Sequence, residues 1–326
     1  MIRGGIFILL FCLTKNPVHA ASNTSCHVIK TDVLHFWQAY DSLAKNKDTL
    51  SVFNEIVFNQ SSGAYTLFCK KWNITALNLK NQLARFPKYY ASIRERSIQL
   101  VNDENAIQHL VQRFASLYKN FKGADICLAF GNFRTGGNIE ITSNCNYVYV
   151  GMEFHTGGSN VQYDELPPFL TQYLINGSFY HTLVHELVHI QQFTHGSKII
   201  KTLQRPSLEA HVLMEGVPDY IAELVCNQPL QNERYVYGLK NVNQLLFEFR
   251  KQKKSTNHVH WFAKPREKML PDMGYFIGYY LASNYAKHHV KVQGDLTPLI
   301  EIKHIRTFIR KSQALQIFQW PFKQKV

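Results

Sequence analysis

Two histidines, His185 and His189, lie four positions apart in the motif His185-Glu186-Leu187-Val188-His189. On an α-helix, side chains with this spacing share one face, so both imidazoles can bind one metal ion. Glu186 lies one position round the helix from His185, where its carboxylate can contact a water molecule on that ion. The motif therefore predicts a zinc site in which Glu186 acts as the general base of a hydrolytic reaction.

A catalytic zinc site needs a third protein ligand, because two histidines leave the ion short of donors. Glu215 is the predicted third ligand, at the start of a predicted amphipathic helix. Asp219, one turn later, is predicted to accept a hydrogen bond from a ligating histidine. Glu209 is the rival ligand, but Leu213 stands four positions after it, where a second carboxylate is expected. The sequence predicts one Zn²⁺ per chain, and other first-row divalent ions compete for the same donors.

Six separate segments, which span most of residues 33–285, carry a resemblance to a known family; they are Phe36–Asp41, Phe130–Gly137, Val150–Glu153, His185–Gln191, Glu215–Ile221 and Gly274–Tyr279. In these segments the chain resembles the bacterial predicted zinc-dependent proteases related to the gliding-motility lipoprotein B, within the HExxH-plus-Glu metallopeptidases. The resemblance implies a zincin-like fold with His185, His189 and Glu215 as zinc ligands. The chain lacks the lipidated cysteine expected of the lipoprotein members.

Other positions are candidates for binding the substrate. Tyr275 is predicted to donate a hydrogen bond to the developing oxyanion, with core packing as the alternative. Val150, Gly151 and Met152 belong to a predicted edge strand that can pair with an extended peptide. Gly136-Gly137 is predicted either as a hairpin turn or as a tight turn beside the cleft.

The first twenty residues have the pattern of a signal peptide. Arg3 precedes the apolar run from Ile6 to Leu13, and small residues follow at Ala20 and Ala21, after either of which we expect cleavage. We therefore expect the protein in the periplasm or secreted, with no transmembrane segment after cleavage. Five cysteines remain after the predicted signal peptide, at positions 26, 69, 127, 145 and 226. Cys127 and Cys145 are predicted on neighbouring strands, either paired or as free thiols.

The periodicity of apolar residues predicts a helix-dominated α+β fold. Residues 32–119 have helical spacing, with Pro87 separating two helices, and residues 125–152 read as a small antiparallel sheet. Helices are predicted again over 166–226, which hold the zinc site, and over 230–326. Residues 21–326 are therefore expected to form a single metallopeptidase-like domain.

Composition and charge narrow the functional classes. The chain is 45% hydrophobic and 18% charged, which excludes a disordered protein. Its net charge of +13 favours association with anionic envelope surfaces, but the basic residues are dispersed and do not predict a specific nucleic-acid site.

The sequence thus predicts an exported zinc metallopeptidase that hydrolyses peptide or protein substrates. Two alternatives stay open. One is an exported, non-catalytic zinc-binding scaffold of the envelope, and the other is a hydrolase that acts on the peptide part of the cell wall.

Overall fold

The structure is a computed structural model that describes residues 25–43, 48–175, 177–196, 206–230, 232–262, 270–290 and 294–315. The predicted signal peptide, residues 1–20, lies outside the described residues. The described residues group into two compact units. The first unit contains residues 25–112 and 122–190, and the second contains residues 113–121 and 191–315. The single-domain organisation stays a prediction, because a compact unit need not fold independently.

The first unit begins with a helical layer over the residues that the sequence predicts as helical. Pro87 is the first residue of a helix that follows directly on the one ending at Arg85, as predicted. The helices in this part are α1 (Thr31–Ser42), α2 (Thr49–Phe53) with a π-helical continuation (Asn54–Phe58), α3 (Gly63–Trp72), α4 (Ala76–Arg85), α5 (Pro87–Asn102) and α6 (Glu104–Leu117).

Four short strands form the sheet of the first unit, in the order β1-β2-β4-β3. They are β1 (Val28–Ile29), β2 (Asp125–Ala129), β3 (Gly137–Ile141) and β4 (Asn146–Gly151). The predicted antiparallel sheet is wrong, because β1, β2 and β4 run parallel and only β3 is antiparallel to its neighbour. The chain passes from β2 to the far edge before it turns back into β4, so β4 inserts between β2 and β3.

The predicted edge strand is therefore also wrong. Val150 pairs with Leu128 of β2 on one side and with Gly137 of β3 on the other. Met152 belongs to the short helix α7 (Met152–His155), outside the strand. Among the described strands, β3 is the edge strand on this side of the sheet.

Aromatic side chains fill the core between the helical layer and the sheet. The ring of Phe36 on α1 stacks on that of Phe130, directly after β2, at a centroid distance of 3.9 Å. Tyr90 on α5 packs against both rings. Two further helices complete this part of the chain, α8 (Pro168–Ile175) and α9 (Phe179–His195), and α9 carries the HExxH motif.

The second unit is helical in all its described elements. These are α10 (Leu208–Cys226), α11 (Glu233–Lys240), α12 (Val242–Gln252), α13 (Val259–Phe262), α14 (Met273–His289), α15 (Thr297–Ile300) and α16 (Ile305–Lys311). The helix that carries Glu215 begins at Leu208, seven residues before the predicted start at Glu215. The backbone N–H groups of Leu208 and Glu209 donate to the carbonyls of Ser255 and Lys253, which satisfy the first turn of α10.

Helices α10 and α14 approach each other at two glycines. A Cβ on Gly278 would lie 1.6 Å from the carbonyl oxygen of Val212, and a Cβ on Gly216 would lie 2.2 Å from the backbone nitrogen of Tyr279. Only residues without a side chain permit this approach of two backbones. The glycine pair therefore sets the separation of α10, which carries Glu215, from α14, which carries Tyr275.

All five cysteines of the described chain are free thiols. Of the two predictions for Cys127 and Cys145, the structure therefore agrees with free thiols and not with a disulfide. Burial raises the pKa of the Cys127 thiol well above its ordinary value. Within the described ranges, no helix combines the length and the apolar character needed to cross a bilayer.

Candidate metal centre

Helix α9 presents His185 and His189 on one face, as their spacing predicts. Their rings lie 4.7 Å apart between centroids and are nearly perpendicular, at 81°. The apolar residues between and before them, Leu187, Val188 and Val184, are completely buried. Burial of these side chains fixes the rotation of α9 about its axis, and the rotation in turn directs both imidazoles to the same side.

The structure brings Glu215 to the two histidines. One ligand atom from each of His185, His189 and Glu215 lies within 4.8 Å of the other two, and all three residues are buried. Two imidazole nitrogens and one carboxylate oxygen are a donor set that suits a divalent transition metal such as zinc. Among the described residues, this is the one group of three such donors that the structure assembles.

Glu209, the rival third ligand, lies elsewhere on α10. Its carboxylate Oε1 is 3.8 Å from the Nε atom of Arg306 on α16. The structure therefore brings Glu215, and not Glu209, to the histidine pair. The difference arises because six residues along a helix correspond to well over one and a half turns, so the two carboxylates leave α10 on different faces.

Glu186, the predicted general base, is buried against the beginning of the edge strand. A Cβ on Gly137 would lie 2.5 Å from Oε1 of Glu186 and 2.7 Å from Cγ2 of Thr182. Gly137 is the first residue of β3, and the hairpin turn lies further along, at residues 142–145. Of the two predictions for Gly136-Gly137, the hairpin turn is therefore wrong. The glycine lets the backbone of β3 approach the carboxylate of the HExxH motif.

A buried carboxylate holds the segment that leads into Gly137. Glu153 accepts hydrogen bonds from the backbone N–H groups of Gly131 and Asn132, at 2.7 to 2.9 Å. Asn132 and Phe133 both have positive φ, of 56° and 53°, which turns the chain sharply here. Burial raises the pKa of the Glu153 carboxyl, although these N–H donors act in the opposite direction. The anchored turn determines where β3 begins.

A second anchor holds Gly136. The Nε2 atom of His155 lies 2.9 Å from the carbonyl oxygen of Gly136, so this nitrogen is the donor. The same carbonyl accepts the N–H of Gly151. Burial lowers the pKa of His155 to about 4, so its imidazole is neutral at pH 7.

Tyr275 and Asp219 meet in the second unit around an arginine that the sequence analysis did not identify. The guanidinium of Arg234 lies 4.7 Å from the centre of the Tyr275 ring and 3.8 Å from the carboxylates of Asp219 and Asp272. Asp219 also accepts a hydrogen bond from the hydroxyl of Tyr235. Burial, with the nearby charges of Glu215 and Asp272, raises the pKa of Tyr275 well above its ordinary value. The Tyr275 phenol is therefore protonated at neutral pH.

The predicted roles of Asp219 and Tyr275 stay predictions, although both residues lie in the cluster around Arg234. No spacing rule identifies Arg234, because it lies on α11 while its partners lie on α10, on α14 and directly before α14. The contact of Gly137 with Glu186 agrees with the predicted tight turn of Gly136-Gly137 beside the cleft.

No protein-family model, curated protein sequence or solved structure matches the chain.

Proposed function

We propose that the chain is a metal-dependent peptidase with Glu186 as its general base. The observation that carries the proposal is the grouping of His185, His189 and Glu215 within 4.8 Å, on and beside the helix that also carries Glu186. A site that serves only stability has no need of an additional buried carboxylate next to its ligands, and it is closed by four protein donors.

The residues of the triad fit a divalent cation. Their donor set, two histidines and one glutamate, is that of many hydrolytic zinc sites. When bound, such an ion supplies Lewis acidity that polarises a scissile carbonyl and acidifies water.

The chain's own residues supply the proton transfers. The Glu186 carboxylate would accept a proton from the attacking water on one Oε atom and later deliver it to the nitrogen of the leaving amine. The backbone of Gly137 packs against Glu186 and limits the rotamers that its carboxylate can adopt. Proton transfer requires such a fixed orientation, since a base must lie within hydrogen-bond reach of the proton that it removes.

The substrate that we propose is an extended peptide. Strand β3 is an edge strand among the described strands, and its first residue lies against Glu186. An extended peptide that pairs with β3 would form main-chain hydrogen bonds, which bind peptides with little dependence on sequence. The proposed peptide-binding strand is therefore β3, and not β4 with its residues Val150 and Gly151.

The resemblance to predicted bacterial zinc proteases and the apolar run at residues 6–13 support two further proposals. The fold would be zincin-like, and the protein would act outside the cytoplasm.

The proposed function is tested by the purified protein and its Glu186→Gln variant in a peptide-cleavage assay, with the metal content measured on the same samples. We expect the variant to keep its metal and to lose about 10² to 10⁴ in rate, the usual contribution of a general base. Glu209→Gln is the matched control and should cleave normally. Equal cleavage by the wild type and the Glu186→Gln variant would contradict the proposal. Metal binding without cleavage in the wild type would favour the scaffold alternative.

A further inference from the structure

His211 lies one helical turn before Glu215 on the same face of α10. Its Nε2 atom is 3.8 Å from Oε1 of Glu215. This separation is too long for a hydrogen bond. It is close to the distance between two donors of a single ion, which is roughly 3.4 Å for a tetrahedral ion with bonds of about 2.1 Å. A small side-chain rotation would therefore bring both atoms to one cation.

A hydrogen-bonded chain determines which nitrogen of His211 carries the proton. Nδ1 of His258 lies 3.1 Å from the carbonyl oxygen of Ser255, and Nε2 of His258 lies 2.9 Å from Nδ1 of His211. A carbonyl only accepts, so Nδ1 of His258 donates to it, and Nε2 of a neutral His258 is then an acceptor. Nδ1 of His211 must therefore be the donor, so the lone pair of a neutral His211 ring is on Nε2, the atom that faces Glu215.

This is the arrangement of a metal-ligating histidine. Such a residue donates its second ring N–H to a fixed acceptor, which sets the tautomer and the orientation of the ring. The acceptor here is itself anchored, because the Ser255 carbonyl also accepts the N–H of Leu208. Phe262 stacks on the His211 ring at 3.7 Å and 16°, and so restricts its rotation.

We propose a second, weaker divalent-cation position formed by Nε2 of His211 and the carboxylate of Glu215. His211 is not part of the three-residue donor group at His185, His189 and Glu215, so this position is distinct within the described chain. The two positions share Glu215, and the inference therefore rests on the proposed metal centre. Two protein donors bind a cation less tightly than three, and water completes the coordination.

The test is a calorimetric titration of the metal-free, full-length protein with Zn²⁺ alone. We expect one tight and one weaker binding event per chain. The His211→Phe variant keeps the stack with Phe262 and removes both nitrogens, so it should lose the weaker event and keep the tight one. His260→Phe is the matched control, because His260 is an exposed histidine on α13, and it should keep both events. Thermal melting verifies that each variant is folded.

Each result of the titration has a separate meaning. A single event in the wild type, abolished by His185→Ala, would overturn the second position and leave the proposed metal centre intact. A weaker event that persists in folded His211→Phe would overturn it as well, since the zinc would then bind elsewhere on a chain with 15 histidines. No binding in the wild type would overturn both sites. His258→Phe should weaken the second event without removing it, because it removes the acceptor that sets the tautomer and leaves Nε2 of His211 in place.

Discussion

Gly137 lies so close to Glu186 that a Cβ at position 137 would be 2.5 Å from the Oε1 atom of the glutamate. The backbone of the edge strand thus occupies the space next to the predicted general base. Any side chain at position 137 has to displace the Glu186 carboxylate or the strand.

Gly137→Ala should reduce peptide cleavage by about 100-fold or more, because a misplaced general base loses its contribution to the rate. Metal binding should be preserved, since the substitution does not touch the three ligands. The measurement is kcat/KM together with metal content. Gly63→Ala is a matched control, because a Cβ at Gly63 meets nothing within 4 Å. Unchanged kcat/KM in the Gly137→Ala variant would show that its contact with Glu186 has no part in catalysis.

Gly278→Ala should destabilise the second unit. The added Cβ would lie 1.6 Å from the carbonyl oxygen of Val212, and backbone atoms cannot move aside as a flexible side chain can. We expect a loss of about 3 kcal/mol or more in the free energy of unfolding, at the upper end of the cost of overpacking. Urea denaturation measures it, with Gly158→Ala, whose Cβ meets nothing within 4 Å, as the control. Equal stability of the two variants would exclude a close helix contact at Gly278.

Arg234→Met should destabilise the fold by on the order of 3 kcal/mol, because it leaves the buried carboxylate of Asp272 and the half-buried carboxylate of Asp219 without their cation. Arg234→Lys should lose less, since it keeps the charge but not the planar stacking on Tyr275. The matched control is Arg310→Met, at an exposed position on α16. Chemical denaturation at neutral pH compares the stability of the three variants. An Arg234→Met variant as stable as the control would show that the charge contacts of Arg234 do not stabilise the fold.

The stability of the protein should fall as the pH drops from 6.5 towards 4, in part through His155. Its folded-state pKa of about 4 is below the ordinary value of 6.5. The unfolded chain therefore binds a proton in this window while the folded protein does not, so acid favours unfolding. Well above pH 6.5 the residue is neutral in both states and contributes no pH dependence.

Between pH 7 and pH 5, His155 should lower the free energy of unfolding by about 2 kcal/mol. His155→Gln keeps a donor for the Gly136 carbonyl and does not titrate, so its unfolding free energy should change less between pH 7 and pH 5. His260→Gln, at an exposed position, should behave as the wild type. The same pH dependence in the His155→Gln variant and the wild type would exclude a buried neutral imidazole at position 155.

Local spacing was sufficient to predict the parts of the site that a single helix contains. His185, Glu186 and His189 follow from the period of α9, and the apolar positions between the histidines are buried as that period requires. The helical layer before Pro87 and the helix-dominated α+β class follow from the same periodicity.

Features that depend on distant segments were not predictable in this way. The two-residue strand β1 joins the sheet in parallel with β2, nearly one hundred positions later, and no local pattern specifies such pairing. Helix α10 begins at Leu208 because carbonyls at Lys253 and Ser255 accept its first N–H groups. Arg234 likewise acquires its surroundings only when α10, α11 and α14 pack together.

We propose that Glu215 completes a metal centre with His185 and His189. Elemental analysis of the purified protein tests it most directly, by comparing the wild type with Glu215→Gln and Glu209→Gln after dialysis against trace zinc. We expect one tightly bound ion in the wild type and in the Glu209→Gln variant, and its loss in the Glu215→Gln variant. Loss of the ion from Glu209→Gln with retention in Glu215→Gln, or a wild type without metal, would contradict it.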